Sequence, residues 1–595
     1  MSTRDDIEDQ GPDPVVLLVR RLAGRLTPSG RVTVAALTLI ALQMVLHVWM
    51  TSGSWFMWDD YMFLSDVARG EDDMAWLFHS HFGLFMPVSF LLVKIIGGTG
   101  LSWAAAATQI LVLQLLTSLA CWWMLRTLFG NRKRILVPLA FYLFNPMSIP
   151  SSVWWSVAIN QYPHQIAIFG AVGFHVRYAR TGRVRHAVAA TAFLVLGLGS
   201  YVKAPLIVLV LVGVSVCWFT AGGPRQRLRT LVASWPAWLM YGISLTVYAV
   251  VWTSRQTGST PRQACELPGV LSRSILESVG TGTMGGPLTW ELWTGGIDPF
   301  LAASSCVPQS YRNDPALLVG GPPQSLLSPS LAVIVLSWVL ITSLVLYVWA
   351  RHRNAILSLW WLVPYVVLSA VLVYLGRAGT FGAQVSAREI RYFADLPAVM
   401  AVALGAAIMP IVGAAQLRHL RARAVLRVSI PRRAFAVLAV LGLIASLVSS
   451  IRYVAPWHAE SPQTFPERAF MQTIDRQLDE LPSSDGPVLV ANVPVPYRVS
   501  LPVIAPYNLP SRELAPWSDR IRAVTAGTDI SILDDVGRIV PATIPDAPRA
   551  EPGPVEGCGY LVQQERVTID VAPVVDTVWW ARIDYLAGGD GELEV

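Results

Sequence analysis

Residues 32–50 read VTVAALTLIALQMVLHVWM, a run of 19 residues without a charged side chain. As an α-helix with a rise of about 1.5 Å per residue, this run covers about 28 Å, close to the roughly 30 Å hydrocarbon core of a bilayer. Similar runs recur as far as residue 450. Their approximate bounds are 32–50, 103–126, 135–150, 161–177, 186–201, 204–220, 230–252, 330–350, 355–374, 397–415 and 434–450. The sequence therefore predicts a polytopic α-helical membrane protein with about eleven transmembrane helices.

The composition of the whole chain agrees with this fold class. Of its 595 residues, 53% are hydrophobic and 14% are charged, whereas soluble proteins average about 25% charged residues. The formal balance is 45 Lys and Arg against 39 Asp and Glu. So apolar a chain is neither a set of ordinary soluble domains nor a disordered protein, and we expect no nucleic-acid partner.

The apolar run at 84–97 decides the orientation of the helices. It is short and contains Lys94, so we interpret it as an interfacial or re-entrant helix that does not cross. Basic clusters then share one side, at 132–134, 177–185, 225–229, 351–353 and 418–433. The positive-inside rule places that side in the cytoplasm. We predict a multi-pass cell-membrane protein with a cytoplasmic tail at 1–31, an uncleaved signal anchor as its first span and a C-terminus outside the cytoplasm.

Three segments on the predicted outer side are too long to be simple connections. Residues 51–102 and 253–329 form outer loops of the transmembrane domain 32–454, and 455–595 follow the last span. Long ordered insertions usually carry function. In the last segment, apolar and polar residues alternate at 488–493, 560–571 and 578–585. This alternation predicts an extracytoplasmic, mainly β domain.

Two cysteines occur in the same predicted outer loop. Cys265 and Cys306 are placed to form a disulfide in an oxidising compartment, the alternative being two free thiols. Cys121 and Cys217 lie within predicted spans instead.

The strongest local signal is the motif Trp58-Asp59-Asp60-Tyr61, directly after the first span. Two adjacent carboxylates at the membrane surface can supply a general base and an acid that orients it or holds a cation. The alternative is that one of them caps a short helix over 61–69. Because Asp60 immediately precedes that helix, we favour Asp59 as the base and Asp60 as the cap.

Polar residues in the first and second outer connections are candidate substrate-binding groups. His79 and His81 flank Ser80, and their imidazoles could bind a hydroxyl, a phosphate or a metal, although this spacing only weakly supports a bidentate metal site. Gln161 and His164 follow the aromatic pair at 154–155, close to the hydrocarbon, where a sugar's hydroxyls would pair with them. Interfacial packing is the alternative for all four.

Three basic residues on the predicted outer side are candidate phosphate ligands. Lys203 lies in a turn between two spans, where a cation opposes the positive-inside bias, although it could also extend to ordinary head groups. Arg388 and Arg391 are three residues apart and would share a face if helical, presenting two fork-shaped donors to a phosphate. The alternative for these arginines is neutralisation by Glu389 and Asp395.

These features together resemble the GT-C superfamily of polytopic glycosyltransferases, which includes protein O-mannosyltransferases, aminoarabinose transferases and actinobacterial arabinosyl- and mannosyltransferases. The resemblance is mainly architectural and covers nearly the whole chain. It implies that an acidic motif in the first outer loop supplies the catalytic Asp, here Asp59 or Asp60. Where many members have Asp-Glu this chain has Asp-Asp, and its second outer loop lacks a clear acidic residue, so the resemblance leaves a divalent cation open.

The resemblance also implies that an outer basic residue and an Arg-Tyr motif before a late span contact the donor phosphate. The matching residues are Lys203, Arg388, Arg391 and the Tyr392 that follows it. The expected function is transfer of a sugar, with inversion, from a polyprenyl-phosphate donor to a cell-envelope glycan, glycolipid or protein at the outer face. The alternative is a transporter or flippase of a lipid-linked glycan without transferase activity.

Overall fold

The computed structural model describes fourteen separate stretches of the chain. They are 27–255, 267–284, 329–351, 355–381, 383–415, 431–458, 466–480, 486–496, 499–500, 504–543, 550–554, 559–562, 567–570 and 580–584. The predicted disulfide between Cys265 and Cys306 lies outside the described residues.

Helices dominate the described residues. Up to residue 454 they are α1 (Pro28–Ser52), α2 (Asp59–Ala68), α3 (Met74–Leu77), α4 (Pro87–Gly97), α5 (Trp103–Phe129), α6 (Leu136–Leu143), α7 (Pro150–Val153), α8 (Trp155–Thr181), α9 (Val184–Leu198), α10 (Leu206–Val214), α11 (Pro224–Ala233), α12 (Trp235–Ser254), α13 (Leu267–Arg273), α14 (Gly280–Thr283), α15 (Leu331–Arg351), α16 (Leu359–Phe381), α17 (Ala383–Arg388), α18 (Leu396–Ile408) and α19 (Arg432–Val454). Near the C-terminus follow α20 (Pro466–Glu480) and α21 (Pro510–Glu513). Short 3₁₀ or π turns occur at Lys133–Ile135, Pro146–Ser148, Ser215–Phe219, Ser274–Val279, Ala355–Ser358, Ile390–Phe393, Ala455–His458 and Ala515–Trp517.

Several of these helices have the length and composition of membrane spans. Within the described residues, six are long and apolar enough: Pro28–Ser52, Trp103–Phe129, Trp235–Ser254, Leu331–Arg351, Ala355–Arg377 and Ile390–Ile408. A pair bent by 45°, Lys133–Leu143 with Pro146–Val153, makes a seventh if its halves act as one span. The prediction of a helical membrane protein is thus supported, whereas about eleven spans are not confirmed.

The remaining predicted spans fall short for two physical reasons. Helices Val184–Leu198 and Leu206–Phe219 are among the apolar helices of 10–17 residues. At about 1.5 Å per residue, such a helix measures at most about 26 Å, less than the hydrocarbon core. The predicted span 161–177 lies inside α8, which is long enough at 27 residues, but polar side chains occupy its first half. The apolar part of α19 is only Val440–Val454.

The core of the transmembrane region forms where α8 packs against α5 and α9. Close approach needs a glycine, because a Cβ on Gly173 would lie 2.4 Å from the Trp123 ring. Pro163 in α8 has no N–H to donate to the carbonyl of Ile159. Ser89 Oγ on α4 donates to that carbonyl at 3.1 Å instead. Helix α4 has 11 residues, about 16 Å, too short to cross a bilayer, as the sequence predicts for this segment.

The two small sheets differ in position and topology. Near the N-terminus, β1 (Ser80–His81) pairs with β2 (Leu84–Phe85) as an antiparallel hairpin. In the C-terminal segment, β3 (Val488–Ala491), β4 (Ile521–Val524), β5 (Ser531–Leu533) and β6 (Ile539–Pro541) form one sheet in the order β4-β3-β5-β6. Strand β3 is parallel to β4 and β5, and β6 is antiparallel to β5.

The C-terminal segment differs in part from the mainly β domain that the sequence predicts. Strand β3 falls in the predicted run 488–493. The described residues of the other two predicted runs, 560–562, 567–570 and 580–584, contain no strand, and α20 packs on the sheet. Alternation alone cannot specify a strand, because a strand also needs a partner to pair with.

Several polar contacts fasten the C-terminal segment to α2. Asp66 on α2 accepts hydrogen bonds from Trp76 Nε1 and from the Tyr507 hydroxyl, each at 2.9 Å. Arg512 forms ion pairs with Asp66 at 3.6 Å and with Glu71. The C-terminal segment therefore contacts the helix that begins with the acidic motif.

We predict that this docking weakens at alkaline pH. Glu467 and Glu513 are 0% and 2% exposed and both interact electrostatically with Tyr61 of α2. Burial raises the pKa of each glutamate to about 8. A solvent-exposed glutamate, as in the undocked segment, has a pKa of about 4.3. Between about pH 4 and pH 8 the docked glutamates therefore keep protons that the undocked ones release. Docking consequently weakens as the pH rises through this range.

Limited proteolysis of the C-terminal segment measures this effect. We expect faster cleavage at about pH 8.5 than at about pH 6, and a smaller difference in the double variant Glu467→Gln/Glu513→Gln. Equal cleavage rates of the unmodified protein at both pH values would contradict the prediction.

Candidate functional site

The acidic motif occupies a strained turn at the start of α2. Trp58 has φ of 38° and ψ of −98°, and α2 begins at the next residue, Asp59. Such a backbone costs roughly 1–3 kcal/mol for a residue other than glycine and persists where surrounding contacts impose it. The first turn of α2 is therefore held in place by its neighbours rather than by its own preference.

Asp60 is the structural member of the acidic pair. It is 0% exposed, its Oδ2 accepts from the Met57 N–H at 2.9 Å, and its Oδ1 accepts from the Ser156 N–H at 2.8 Å. Ser156 lies in the first turn of α8, whose N–H groups have no partner within the helix. The expected capping role is not what the structure shows, because α2 already begins at Asp59 and no side chain caps its N-terminus. Asp60 instead links the backbone before α2 to the start of α8. Burial raises the pKa of Asp60 to about 8.

Asp59 differs from Asp60 in both burial and hydrogen bonding. Its side chain is half-buried, and among the described residues its carboxylate makes no hydrogen bond or ion pair. It interacts electrostatically with His81 and with Arg391, a residue far from it in the sequence. Asp59 is therefore the more accessible carboxylate of the two for a hydroxyl.

Arg391 lies on an aromatic surface beside this carboxylate. Its guanidinium carbon is 4.0 Å from the centre of the Trp154 ring, and the Trp154 ring contacts the Trp58 ring edge-on at 5.8 Å. Arg391 Nε is 3.6 Å from Glu389, and 13% of its side chain is exposed. Trp58 and Trp154 connect the motif to Arg391, a role that the sequence alone did not indicate.

Lys203 has partners inside the protein. It is 1% exposed, donates to the carbonyl of Tyr392, and its Nζ is 3.6 Å from Asp395 Oδ1. The Tyr365 hydroxyl donates to the other oxygen of Asp395 at 2.6 Å. Burial lowers the pKa of Lys203, opposed by Asp395. Lys203 is thus held within the protein at the turn that carries Arg391, and its contact with a phosphate stays a prediction.

Arg388 and Arg391 do not share a helix face. Helix α17 ends at Arg388, Glu389 is extended with ψ of 97°, and a new turn begins at Ile390. Arg388 interacts electrostatically with Glu277 and Arg273. The predicted pair of donors is thus divided between two environments.

Helix α8 brings further predicted residues to the same turn. Gln161 Nε2 donates to the carbonyl of Arg391 at 3.4 Å, and the ring of His164 lies 5.4 Å from that of Tyr201. His164 is 0% exposed, and neither of its ring nitrogens has a hydrogen-bond partner. Tyr392 is buried and lies next to Arg391.

The two histidines of the first outer loop occupy different environments. His79 stacks on Phe90 at 4.6 Å, which fits the packing alternative. His81 packs against Phe63 at 4.8 Å, its Nε2 has no partner, and burial lowers its pKa to about 4. His81 also interacts electrostatically with Asp59.

Arg377 is a cation of this region that sequence reasoning missed. Its Nη1 donates to the carbonyl of Phe82 at 2.9 Å, and its guanidinium carbon is 6.0 Å from the Tyr392 ring. It also interacts electrostatically with His81. An Arg shortly after the predicted span 355–374, at the end that the sequence predicts to be outer, was the available signal.

A metal site is not evident in the described part of the chain. No three His, Cys, Asp or Glu residues there are grouped so that they could hold a metal ion. The divalent cation that the resemblance leaves open stays untested.

No protein-family model matches the chain, and no curated protein matches it. The roles assigned below consequently rest on these residues and their geometry.

Proposed function

We propose that this protein is a membrane glycosyltransferase of the GT-C type that transfers a sugar from a polyprenyl-phosphate donor at the outer face of the cell membrane. The observation that carries the proposal is that Asp59, whose carboxylate forms no ion pair among the described residues, is linked to Arg391 through the contact between the Trp58 and Trp154 rings. Both side chains are partly exposed and interact electrostatically, whereas the neighbouring Asp60 and Lys203 are engaged within the protein.

In this proposal Asp59 takes the proton of the acceptor hydroxyl. The hydroxyl oxygen attacks the anomeric carbon, the bond from that carbon to the phosphate oxygen breaks, and its electrons stay on the lipid phosphate. Arg391 stabilises the charge that develops there, and its position on Trp154 keeps the guanidinium oriented. Attack opposite the leaving group inverts the anomeric centre.

The acceptor in this account is a cell-envelope glycan, glycolipid or protein. A lipid-linked donor fits an outer-face site, since nucleotide sugars are absent there. Candidate partners also include membrane lipid around the apolar helices. A purified preparation supplied with synthetic polyprenyl-phosphate sugars tests the function: transfer to a hydroxyl acceptor supports it, and an inactive preparation that moves the intact lipid-linked sugar across a bilayer favours the transporter.

The same assay addresses the metal. Running it with and without EDTA distinguishes a reaction that uses only side chains from one that also needs a divalent cation. Restoration of activity by an added divalent cation would assign that cation to the site.

We further predict that the site faces away from the cytoplasm. The expectation rests on the basic clusters, which lie on one side if α4 does not cross. A reporter that works only in the cytoplasm should be silent when fused after residue 455 and active when inserted at Gly222, in the connection before the basic helix α11. The reverse pattern would move the site to the cytoplasmic side.

A further inference from the structure

The first half of α8 carries buried polar atoms without partners. Gln161 and His164 are 1% and 0% exposed, yet Gln161 Oε1 and both ring nitrogens of His164 have no hydrogen-bond partner in the part of the chain that the structure describes. Asn160 Oδ1, on the preceding residue, has none either. Buried polar side chains are paired in the large majority of cases, so a concentration of unpaired atoms calls for a physical explanation.

The unpaired atoms are confined to one face of the helix. Asn160 and His164 are four residues apart and therefore lie one above the other, with Gln161 beside them. Other polar side chains of this part of α8 are paired: the Tyr162 hydroxyl lies 3.2 Å from Ser152 Oγ, and Gln165, one turn after Gln161, donates from Nε2 to the Ala394 carbonyl at 3.0 Å. These polar side chains of α8 therefore have hydrogen-bond partners, whereas the face that carries Asn160 and His164 has atoms without them.

That face adjoins the turn that carries Arg391. Gln161 contacts the Arg391 carbonyl, and His164 interacts electrostatically with Lys203 and Asp395 at the base of the turn. A group bonded directly to a phosphate held by Arg391 would therefore reach these atoms.

We propose that Asn160, Gln161 and His164 bind the hydroxyls of the donor's sugar ring. The inference rests on the proposed function and names the part of the substrate that this face recognises. Amide and imidazole groups each combine acceptors with donors, and a sugar hydroxyl both donates and accepts, so one ring can satisfy several of these atoms at once. Without a ligand these buried atoms lack hydrogen bonds, which is energetically unfavourable. Hydrogen bonds to a bound sugar would remove this unfavourable contribution.

The test uses the opposite effects that a ligand-binding role and a structural role have on stability. His164→Leu removes two unpaired nitrogens, so the thermal midpoint of the ligand-free protein should stay the same or rise. The matched control is His175→Leu on the same helix. The nitrogens of His175 contact Tyr241 at 3.0 Å and Ser215 at 2.7 Å, so this variant should lower the midpoint.

Calorimetric binding to farnesyl phosphate and to farnesyl-phosphate-linked mannose, glucose and arabinose gives the second readout. The unmodified protein should bind at least one sugar phosphate more tightly than farnesyl phosphate. His164→Leu should lower the affinity for that sugar phosphate about 10-fold, because the loss of one hydrogen bond corresponds to roughly this factor. The affinity for farnesyl phosphate should not change. His175→Leu should preserve the preference.

The outcomes separate the inference from the function on which it rests. A lowered midpoint in His164→Leu, or an unchanged sugar preference, would overturn the sugar subsite while leaving transfer by the unmodified protein intact. A protein that prefers no sugar phosphate over farnesyl phosphate and transfers no sugar would overturn the subsite and the proposed function together.

Discussion

Asp59→Asn should lower the rate of sugar transfer by about 10²–10⁴-fold while leaving donor affinity nearly unchanged. Asparagine keeps the shape of the side chain but cannot take the proton of the acceptor hydroxyl. Asp59 is half-buried and its carboxylate is unpaired within the described residues, so the substitution disturbs little else. Initial rates at saturating donor and acceptor, together with a binding isotherm for the donor, measure the two quantities separately.

Asp60→Asn is the matched control, because it changes the neighbouring carboxylate in the same way. Asp60 accepts from the N–H groups of Met57 and Ser156, and the amide of Asn can accept only on one side. We expect a loss of about 1–3 kcal/mol in the free energy of unfolding and a modest change in rate. If Asp60→Asn abolished transfer in folded protein and Asp59→Asn did not, the two roles would be reversed.

Lys203→Met should destabilise the protein by about 3–5 kcal/mol, the usual cost of leaving one charge of a buried pair without its partner. Lys203 and Asp395 are 1% and 0% exposed, and the lysine also holds the Tyr392 carbonyl. The loss of this ion pair would release the turn that carries Arg391. Thermal unfolding in detergent measures the stability, and transfer by the remaining folded protein measures the effect on the site.

The double variant Lys203→Met/Asp395→Asn, whose amide oxygen still accepts from the Tyr365 hydroxyl, distinguishes a positioning lysine from a ligand-binding one. Removing both charges eliminates the unpaired carboxylate, so most of the lost stability should return. If instead Lys203→Met were stable but bound donor weakly, Lys203 would contact the phosphate directly, as the sequence first suggested.

Much of the site could be predicted because the relevant signals are local. Two carboxylates directly after an apolar span, at Asp59 and Asp60, stand out in a chain with few charges, and the residue before a helix is its natural cap. In the structure Asp60 is the buried member of the pair and Asp59 the partly exposed one, but the expected cap is absent because the helix already begins at Asp59. The fold class followed in the same way from the length of the apolar runs.

Other features depend on contacts between distant residues and could not be predicted. From the sequence, Lys203 was predicted to be a free cation on the outer side. Its ion pair with Asp395, almost 200 positions later, is visible only in the structure. The break at Glu389 that separates Arg388 from Arg391 is set by packing rather than by local sequence. The Trp154 ring beneath Arg391 reads in sequence as an ordinary interfacial aromatic residue.

The most direct test of the central claim counts lipid phosphate released against sugar transferred. Unmodified protein in liposomes receives a radiolabelled polyprenyl-phosphate sugar and a hydroxyl acceptor, with Asp59→Asn in parallel. The account predicts one polyprenyl phosphate released for each glycosidic bond formed, inverted anomeric configuration in the product, and neither event above background in Asp59→Asn. Movement of the intact lipid-linked sugar across the bilayer, without release of polyprenyl phosphate, would contradict it.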